Sequence, residues 1–479
     1  MSETAAPTAA VQAPPRDEVE VGALQRLEAL CDAGSFRPLR SQVLSPRLGE
    51  RAHGGDGVLA GAGRVSGRAV FCYAQDPAFM GGSLGEAHAD SIVRVMDLAG
   101  EAGAPVVGFI ESGGARLQEG HAGLAGYGRI FRKSVELSSR VPQISVVTGV
   151  SAGGGSYSPA LTDFVLMTSA ARMFLTGPRV VREALGEEVT MEELGGPRVH
   201  EGNGVCQLVA DSEHEAMGLV RELLGLLPQV IGQRAEISAP ASPGGSDPSV
   251  HVPEAARRVY DVREVVEAIV DGGRLLEIHS RWARNMTTGF ARIEGRPVGI
   301  VANQPRRLGG VIDAAASEKA ARFVNMCDRF GIPLVVLVDT PGFMPGTRQE
   351  GAGVIRHGAS LLRAFAGASV PRVTVVLRKA YGGAVITMNS KDLGADMVFA
   401  WPGAEIGIMA ANQAVGVVHR RRLREAPDAD SLGAELAAAY AEEHLTATAA
   451  AASGFIDEVI EPADTRASLA WALGSLERS

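Results

Sequence analysis

The chain has 479 residues, of which 46% are hydrophobic and 21% charged, a composition typical of a soluble protein with several domains. Its net charge of −9, from 46 basic and 55 acidic residues, argues against nucleic-acid binding, which normally needs a basic surplus. Its 59 glycines without a collagen repeat predict many tight turns and close backbone approaches.

Targeting and redox signals point to a cytoplasmic protein that binds no membrane. Residues 1–18 lack the features of a signal peptide and read as a disordered tail rich in Ala and Pro. No apolar run reaches the ~18 residues that span a bilayer. The cysteines form no CxxC pair and are expected to be reduced; they are Cys31, Cys72, Cys206 and Cys327.

Two halves of the chain carry the same succession of elements. In the first half, His88–Gly103 has helical spacing, and the apolar run at Ala104–Ile110 leads into a Gly-rich turn. A second apolar run leads into the glycines at Ala152–Gly155. Short Val- and Ile-rich runs bounded by Gly or Pro and followed by helical patterns are buried strands of βαβ units, so we expect parallel sheet covered by helices.

A Ser-, Pro- and Gly-rich segment then divides the chain, and the pattern starts again. We predict an N-terminal domain at 19–240, a linker at 241–256 and a C-terminal domain at 257–479. The second half contains a helix at Ser317–Gly331, an apolar run with the turn DTPG, and a later run ending in Gly382–Ala384. Pairing Gly113 with Gly342 and Gly153 with Gly383 gives offsets of 229 and 230, which indicates an internal duplication.

The paired Gly-rich turns predict backbone anion sites. Small residues let a ligand approach the backbone, and free N–H groups at a helix start can then hold a developing oxyanion. One such loop is more often simple strand–helix packing, but two loops at matching positions of a duplication favour function.

The sequence contains no motif for nucleotide binding, serine hydrolysis or metal binding. There is no GxxxxGK[ST], no GxGxxG fingerprint and no GxSxG elbow. Ser156 and Ser158 have no histidine placed to activate them, and no clustered ligand spacing predicts a metal. Two anion holes without a base, nucleophile or metal suit the transfer of a carboxyl group from carboxybiotin to a thioester enolate. Both partners then develop an oxyanion, and the ureido group itself takes the α-proton.

Long ordered motifs carry a family resemblance over nearly everything after the tail. They are Ala74–Glu86, Glu111–Gly120, Ala152–Asp163, Met173–Val181, Gly289–Pro305, Ala316–Glu350, Lys379–Asp396 and Ala400–Arg421. In these stretches the chain resembles the carboxyltransferase β subunits of biotin-dependent acyl-CoA carboxylases, of the actinobacterial acetyl-/propionyl-CoA carboxylase type.

The resemblance implies an α/β fold of two duplicated crotonase-like (ClpP-type) spiral domains. It implies a hexamer whose active sites form across a dimer, with acyl-CoA on the N-terminal domain and biotin on the C-terminal one. Gly153 and Gly154 match the first oxyanion hole, and Gly383 and Ala384 the second. Ile386 matches the substrate-selecting position, where Ile favours acetyl-CoA with propionyl-CoA tolerated. The other predicted substrate-binding residues are Gly113, Gly114, Ala115, Arg116, Ala152, Tyr157 and Gly382.

The predicted reaction yields malonyl-CoA or methylmalonyl-CoA. The chain has no biotin attachment motif, so we expect biotin to arrive on a separate carrier, charged by a separate biotin carboxylase. Arg116 could meet a CoA phosphate or could form a structural ion pair, and the sequence leaves both open. Three alternative functions also remain: a malonyl-type acyl-CoA decarboxylase on the same fold, a crotonase-type hydratase, and a catalytically silent assembly subunit.

Overall fold

A computed structural model describes residues 22–245, 247–255 and 258–477 of the chain. The predicted tail at 1–18 lies outside these residues. The N-terminal half forms one eight-stranded sheet in the order β1-β2-β3-β4-β5-β6-β8, with β7 paired to β5. Its strands are β1 (Arg37–Leu39), β2 (Val58–Val65), β3 (Arg68–Gln75), β4 (Val106–Ser112), β5 (Gln143–Ala152), β6 (Phe164–Thr168), β7 (Arg172–Phe174) and β8 (Leu208–Ala210). Its helices are α1 (Ala23–Leu30), α2 (Glu86–Ala102), α3 (His121–Leu137), α4 (Gly154–Ala160), α5 (Pro178–Leu185), α6 (Met191–Gly195), α7 (Pro197–Asn203) and α8 (Glu213–Leu226).

The C-terminal half repeats this sheet in the order β9-β10-β11-β12-β13-β14-β16, with β15 paired to β13. Its strands are β9 (Leu276–Glu277), β10 (Met286–Ile293), β11 (Arg296–Asn303), β12 (Leu334–Thr340), β13 (Arg372–Tyr381), β14 (Met397–Ala400), β15 (Glu405–Gly407) and β16 (Glu458–Val459). Its helices are α9 (Val262–Ile269), α10 (Ala314–Phe330), α11 (Thr347–Gly351), α12 (Val354–Gly367), α13 (Gly383–Thr387), α14 (Ala411–Val418), α15 (Arg420–Glu425), α16 (Ala429–His444), α17 (Ala447–Ala452) and α18 (Thr465–Ser475). The matching strand orders confirm the duplication.

Each sheet is mixed, which corrects the expectation of purely parallel sheet. The first three strands of each half are antiparallel and the later ones parallel. The β2–β3 and β10–β11 pairs are joined by two-residue hairpins, Ser66-Gly67 and Glu294-Gly295, where both residues of each hairpin have positive φ. That geometry matches the natural twist of adjacent antiparallel strands.

One cluster of buried apolar side chains spans both halves. The Phe164 ring of the first half stacks on Phe330 of the second, with centroids 6.1 Å apart, and meets Phe290 edge-on at 6.0 Å. Arg329 at the end of α10 forms an ion pair with the buried Asp163 of the first half. The halves are therefore packed together by both apolar and charged contacts.

The segment between the halves is attached to the second half. The N–H group of Ser238 donates to the Gly295 carbonyl, and that of Gly244 donates to the Glu267 carbonyl, both at 3.0 Å. The exact domain limits around residues 241–256 stay a prediction. Within the described part of the chain, no helix is both long and apolar enough to cross a membrane.

Candidate active site

The first turn follows β4 and is fixed by backbone hydrogen bonds. The Gly113 N–H donates to the Gly81 carbonyl at 2.9 Å, and the Gly114 carbonyl accepts from Leu84 N–H at 2.8 Å. The Arg116 N–H donates to the Leu84 carbonyl at 2.9 Å. Gly114 has φ +101°, which a side chain would strain. Within the described residues these bonds leave the Ala115 N–H without a protein partner.

The second turn of this half joins β5 to α4. Gly153 has φ +58°, and its N–H donates to the Phe174 carbonyl at 3.1 Å, so this group is not available to a ligand. Gly154 and Gly155 are the first two residues of α4, and the first N–H groups of a helix have no partner inside it. The free amides at this turn are thus those of Gly154 and Gly155, a shift of one residue from the predicted Gly153 and Gly154.

The two turns lie side by side. Ser112 and Ser151 are paired in the register of β4 and β5. A Cβ built on Gly114 would lie 3.4 Å from the Ala152 carbonyl oxygen. Ala152 is half-buried, while the Tyr157 side chain is exposed on α4, with its ring edge-on to Phe131 at 6.1 Å. The structure therefore brings the predicted residues of the first half into one place.

The second half builds the same arrangement. Gly382 has φ +64° and its N–H donates to the Gly407 carbonyl at 2.9 Å, which leaves Gly383 and Ala384 as the first residues of α13. The facing loop is held by bonds from Ile312 N–H to the Gly342 carbonyl at 3.0 Å and from Met344 N–H to the Ile312 carbonyl at 2.8 Å. Phe343, between them, corresponds to Ala115 and was not predicted from the sequence.

The strand registers correct the pairing of landmarks between the halves. Equivalent bonds join Leu84 to Gly114 and Ile312 to Gly342, so Gly342 matches Gly114 with an offset of 228. Gly382 matches Gly153 with an offset of 229, because their N–H groups make equivalent bonds. Each predicted pair, Gly113 with Gly342 and Gly153 with Gly383, was wrong by one residue. The corrected register pairs Gly154 with Gly383 and Gly155 with Ala384.

A cavity of about 570 Å³ opens beside the second turn. Its walls are mostly apolar, and its lining includes Gly383, Val385, Ile386, Ile406, Ile408 and Phe455. The Ile386 side chain is 47% exposed at this cavity, so its size and polarity bear on whatever binds there. The cavity places Ile386 next to the free Gly383 amide.

Arg116 lies where no ligand can reach it. Its guanidinium has no solvent exposure and contacts Asp56 Oδ1 at 2.5 Å and Glu119 Oε1 at 2.8 Å. It also donates to the Ser83 carbonyl at 2.9 Å, joining the loop before α2 to the first turn. The predicted substrate contact is thus replaced by the structural ion pair, which holds the turn in place from beneath.

Polar side chains close to the first turns are already engaged or neutral. Ser156 Oγ lies 2.9 Å from the Ser151 carbonyl and 2.8 Å from the Phe174 carbonyl. His88 is fully buried, and burial lowers its pKa to about 3, so its imidazole is neutral. Asp163 lies at the opposite end of β5 from the turn, where it accepts the Gln143 N–H at 2.8 Å and pairs with Arg329. The arrangement offers backbone donors for negative charge.

Comparisons with known proteins agree with this geometry. The sequence matches the carboxyl transferase domain family over residues 16–478. The methylmalonyl-CoA carboxyltransferase 12S subunit of Propionibacterium freudenreichii subsp. shermanii is 46% identical over 460 residues, covering 94% of this chain and 87% of that protein. The biotin-dependent acetyl-/propionyl-coenzyme A carboxylase beta5 subunit of Mycobacterium tuberculosis is 45% identical, with 95% and 87% covered.

A further relative carries a different activity in its name. The methylmalonyl-CoA decarboxylase subunit alpha of Veillonella parvula is 44% identical, with 95% of this chain and 89% of that protein covered. Among solved structures, the transcarboxylase 12S hexamer with methylmalonyl-CoA and methylmalonic acid bound superposes with a TM-score of 0.91 at 45% identity, covering 96% of this chain and 90% of that one. With its two repeated sheets and paired backbone turns, the chain belongs to the carboxyltransferase subunits of biotin-dependent acyl-CoA carboxylases.

Proposed function

We propose that this chain transfers a carboxyl group from carboxybiotin, held on a separate carrier protein, to the α-carbon of propionyl-CoA, with acetyl-CoA also accepted. The observation that carries the proposal is the pair of equivalent backbone sites, each with unbonded N–H groups at the carboxyl end of a central strand. Two of the relatives are named for methylmalonyl-CoA, the product of propionyl-CoA carboxylation, which favours propionyl-CoA over the acetyl-CoA suggested by Ile386 alone.

The cavity beside Gly383 suits the bicyclic ring of biotin. It combines apolar walls with a backbone donor at one end, as a ring with an apolar body and one polar carbonyl requires. Carboxybiotin supplies both the carboxyl group and the base that removes the α-proton. The Gly383 and Phe343 N–H groups stabilise the negative charge that develops on the ureido oxygen when the nitrogen–carboxyl bond breaks.

The first site stabilises the other reactant. The Gly154 and Ala115 N–H groups hold the thioester oxygen, which becomes negative when the α-proton moves to the ureido nitrogen. The enolate carbon then forms a bond with the released carbon dioxide, and the thioester carbonyl is restored. The protein's part is to hold two reactants together and to stabilise two oxyanions.

We propose that each complete site forms between the first turns of one subunit and the second turns of its partner, in a hexamer. Exposed apolar side chains that follow both sites along the chain support this arrangement. Leu175 and Leu185 follow the first turns, and Ile408, Val417 and Val418 follow the second, all more than half exposed in the single chain.

A mixing experiment tests this arrangement. Gly154→Val disables only the first turns of a subunit, and Gly383→Val disables only the second turns. When the two variants are dissociated and reassembled together, half of the dimers should be mixed. Each mixed dimer should have one intact site of two, so the mixture should show about a quarter of parental activity. No recovery after verified reassembly would place both turns of a site in one chain.

The reaction itself can be tested without a partner subunit. The pure protein is incubated with methylmalonyl-CoA or malonyl-CoA, with and without free biocytin, and loss of the carboxyl group is followed. Loss that depends on biocytin, faster with methylmalonyl-CoA, is the expected result. Loss without biocytin would support the decarboxylase named among the relatives. No loss with either substrate would support a silent assembly subunit.

A further inference from the structure

We propose that Tyr127 is a positioning residue for the first oxyanion site, with its ring fixing the Gly154 turn and its hydroxyl linking that turn to Gly114. The inference deepens the proposed function, because it concerns how the amides meant for the thioester oxygen are held in place. Tyr127 lies on α3 and was not singled out by any motif.

The ring of Tyr127 lies directly against the backbone of α4. A Cβ built on Gly154 would approach ring carbons of Tyr127 to 2.8–2.9 Å, closer than real contacts allow. The side chain is only 4% exposed, and Phe131 packs near its ring with centroids 5.7 Å apart. The helix start therefore rests on a ring that is itself fixed by packing.

The hydroxyl of Tyr127 reaches the other turn. It lies 3.3 Å from Ser112 Oγ, and the same oxygen accepts the Gly114 N–H at 3.3 Å. A Cβ on Gly155 would lie 3.4 Å from the Tyr127 hydroxyl oxygen. Tyr127 thus contacts the segment that carries the Gly154 amide directly, and it reaches the segment that carries the Ala115 amide through the Ser112 hydroxyl.

The role is positioning and not proton transfer. Burial raises the pKa of Tyr127 to about 12, so the phenol keeps its proton through the physiological range. Backbone donors are effective only when they are preorganised around the developing oxyanion, and errors of about 1 Å can cost about 100-fold in rate. At the second site, a Cβ on Gly383 would meet no atom of the described residues within 4 Å, so none of their side chains lies against Gly383 as Tyr127 lies against Gly154.

The test compares hydroxyl and ring removal in biocytin-dependent decarboxylation of methylmalonyl-CoA. Tyr127→Phe should lower kcat about threefold to tenfold, and Tyr127→Leu about 100-fold, because misplaced donors lose transition-state stabilisation. The KM values for methylmalonyl-CoA and biocytin should stay within about twofold, since ground-state binding is unchanged. Ser112→Ala should lose at least as much as Tyr127→Phe, because it also removes the acceptor of the Gly114 N–H, and the double variant should lose no more than Ser112→Ala alone.

Tyr73→Phe is the matched control, because it removes a buried phenol hydroxyl in the same half, against Gly108 of the sheet. It should keep parental kcat. Equal kcat for Tyr127→Phe and the parent would overturn the inference, as would equal losses in both Phe variants or additive losses in the double variant. If Tyr127→Leu does not assemble, the kcat values of Tyr127→Phe and of the double variant test the positioning role. No turnover by the parent protein would instead overturn the proposed function.

Discussion

The two halves present the same backbone turns in different surroundings. At the first site, Gly154 rests on the buried ring of Tyr127, and the neighbouring turn is anchored by the buried Arg116 ion pairs. At the second site, Gly383 faces open space beside a cavity of about 570 Å³. One duplicated scaffold has thus acquired a closely packed site and a roomy one.

The difference fits the two reactants of the proposed reaction. A thioester enolate is small at its reacting end, so its donors need fixed positions more than space. A bicyclic ring that enters on a carrier arm needs room for its body and a donor at one end. Substitutions that exchange these properties between the halves should therefore have unequal effects.

The largest effect is expected for Arg116→Met, which installs the residue that the second half carries at the equivalent Met344. Asp56 and Glu119 would be left buried without their cation, so we expect a loss of about 3–5 kcal/mol in the free energy of unfolding. Adding Asp56→Asn and Glu119→Gln should recover part of this loss. Denaturant unfolding measures both, and an unchanged midpoint for the single variant would show that the cluster does not hold the turn.

Gly154→Ala and Gly383→Ala form a matched pair. The methyl group at 154 would collide with the Tyr127 ring, so we expect a loss of activity of about 10²–10³-fold and a lower Tm. The methyl group at 383 meets no atom within 4 Å, so its Tm should be parental. Its effect should be confined to a higher KM for biocytin.

Thermal unfolding and biocytin-dependent kinetics distinguish the two variants. Equal losses of Tm at both positions would contradict the contrast between a packed and an open site. A Gly383→Ala variant with unchanged KM for biocytin would show that the cavity does not receive the ring.

The Arg329→Ala variant tests whether the ion pair between Arg329 and Asp163 helps to hold the two halves together. Burial raises the pKa of Asp163 to about 6, above its ordinary value of 3.8, while Arg329 acts to lower it. Between these two values the folded protein binds more protons than the unfolded chain. The contribution of Asp163 to the free energy of unfolding therefore falls as pH rises through this range and is constant above it. Without Arg329 the folded pKa should rise further, and the decline should continue above pH 6.

The free energy of unfolding of Arg329→Ala should therefore fall further below the parent at pH 8 than at pH 6, by about 1–2 kcal/mol. Arg274→Ala is the control, because it removes the more exposed pair with Glu222 at 2.8 Å, which also joins the halves. Its effect should be below about 1 kcal/mol and independent of pH. A pH-independent loss for Arg329→Ala would remove Asp163 as its cause.

The smallest change concerns specificity at the roomy site. Ile386→Asp should shift the ratio of kcat/KM values toward propionyl-CoA relative to acetyl-CoA by about tenfold, as expected when one pocket side chain alters contacts. Ile386→Leu keeps an apolar side chain of the same size and should leave the ratio unchanged. An unchanged ratio for the Asp variant would assign substrate selection to another residue.

The turns and helices that form both sites could be predicted from the sequence, because each is marked by residues that are close together in the chain. Glycines that follow buried strands mark the turns, and the helices predicted at His88–Gly103 and Ser317–Gly331 match α2 and α10 closely. The Ser66-Gly67 and Glu294-Gly295 hairpins were not predicted, because Ser-Gly and Glu-Gly are weaker signals for a two-residue turn than Asn-Gly or Asp-Gly.

The errors share one cause, which is that the deciding contacts are distant in sequence. Runs of two and three glycines can be aligned in more than one register, and only the bonds to Phe174 and Gly407 show which amides are used. For Arg116 the sequence left a CoA phosphate contact and a structural ion pair both open, and the contact with Asp56, 60 positions away in the chain, decides for the ion pair. Phe343 acts through its backbone, so its side chain gives no signal.

The ring stack between Phe164 and Phe330 has a consequence for the separated halves. Without its partner, the first half would expose the Phe164 ring, and the second half would expose the rings of Phe290 and Phe330. Expressed as two separate polypeptides, the halves should associate again and restore the fold.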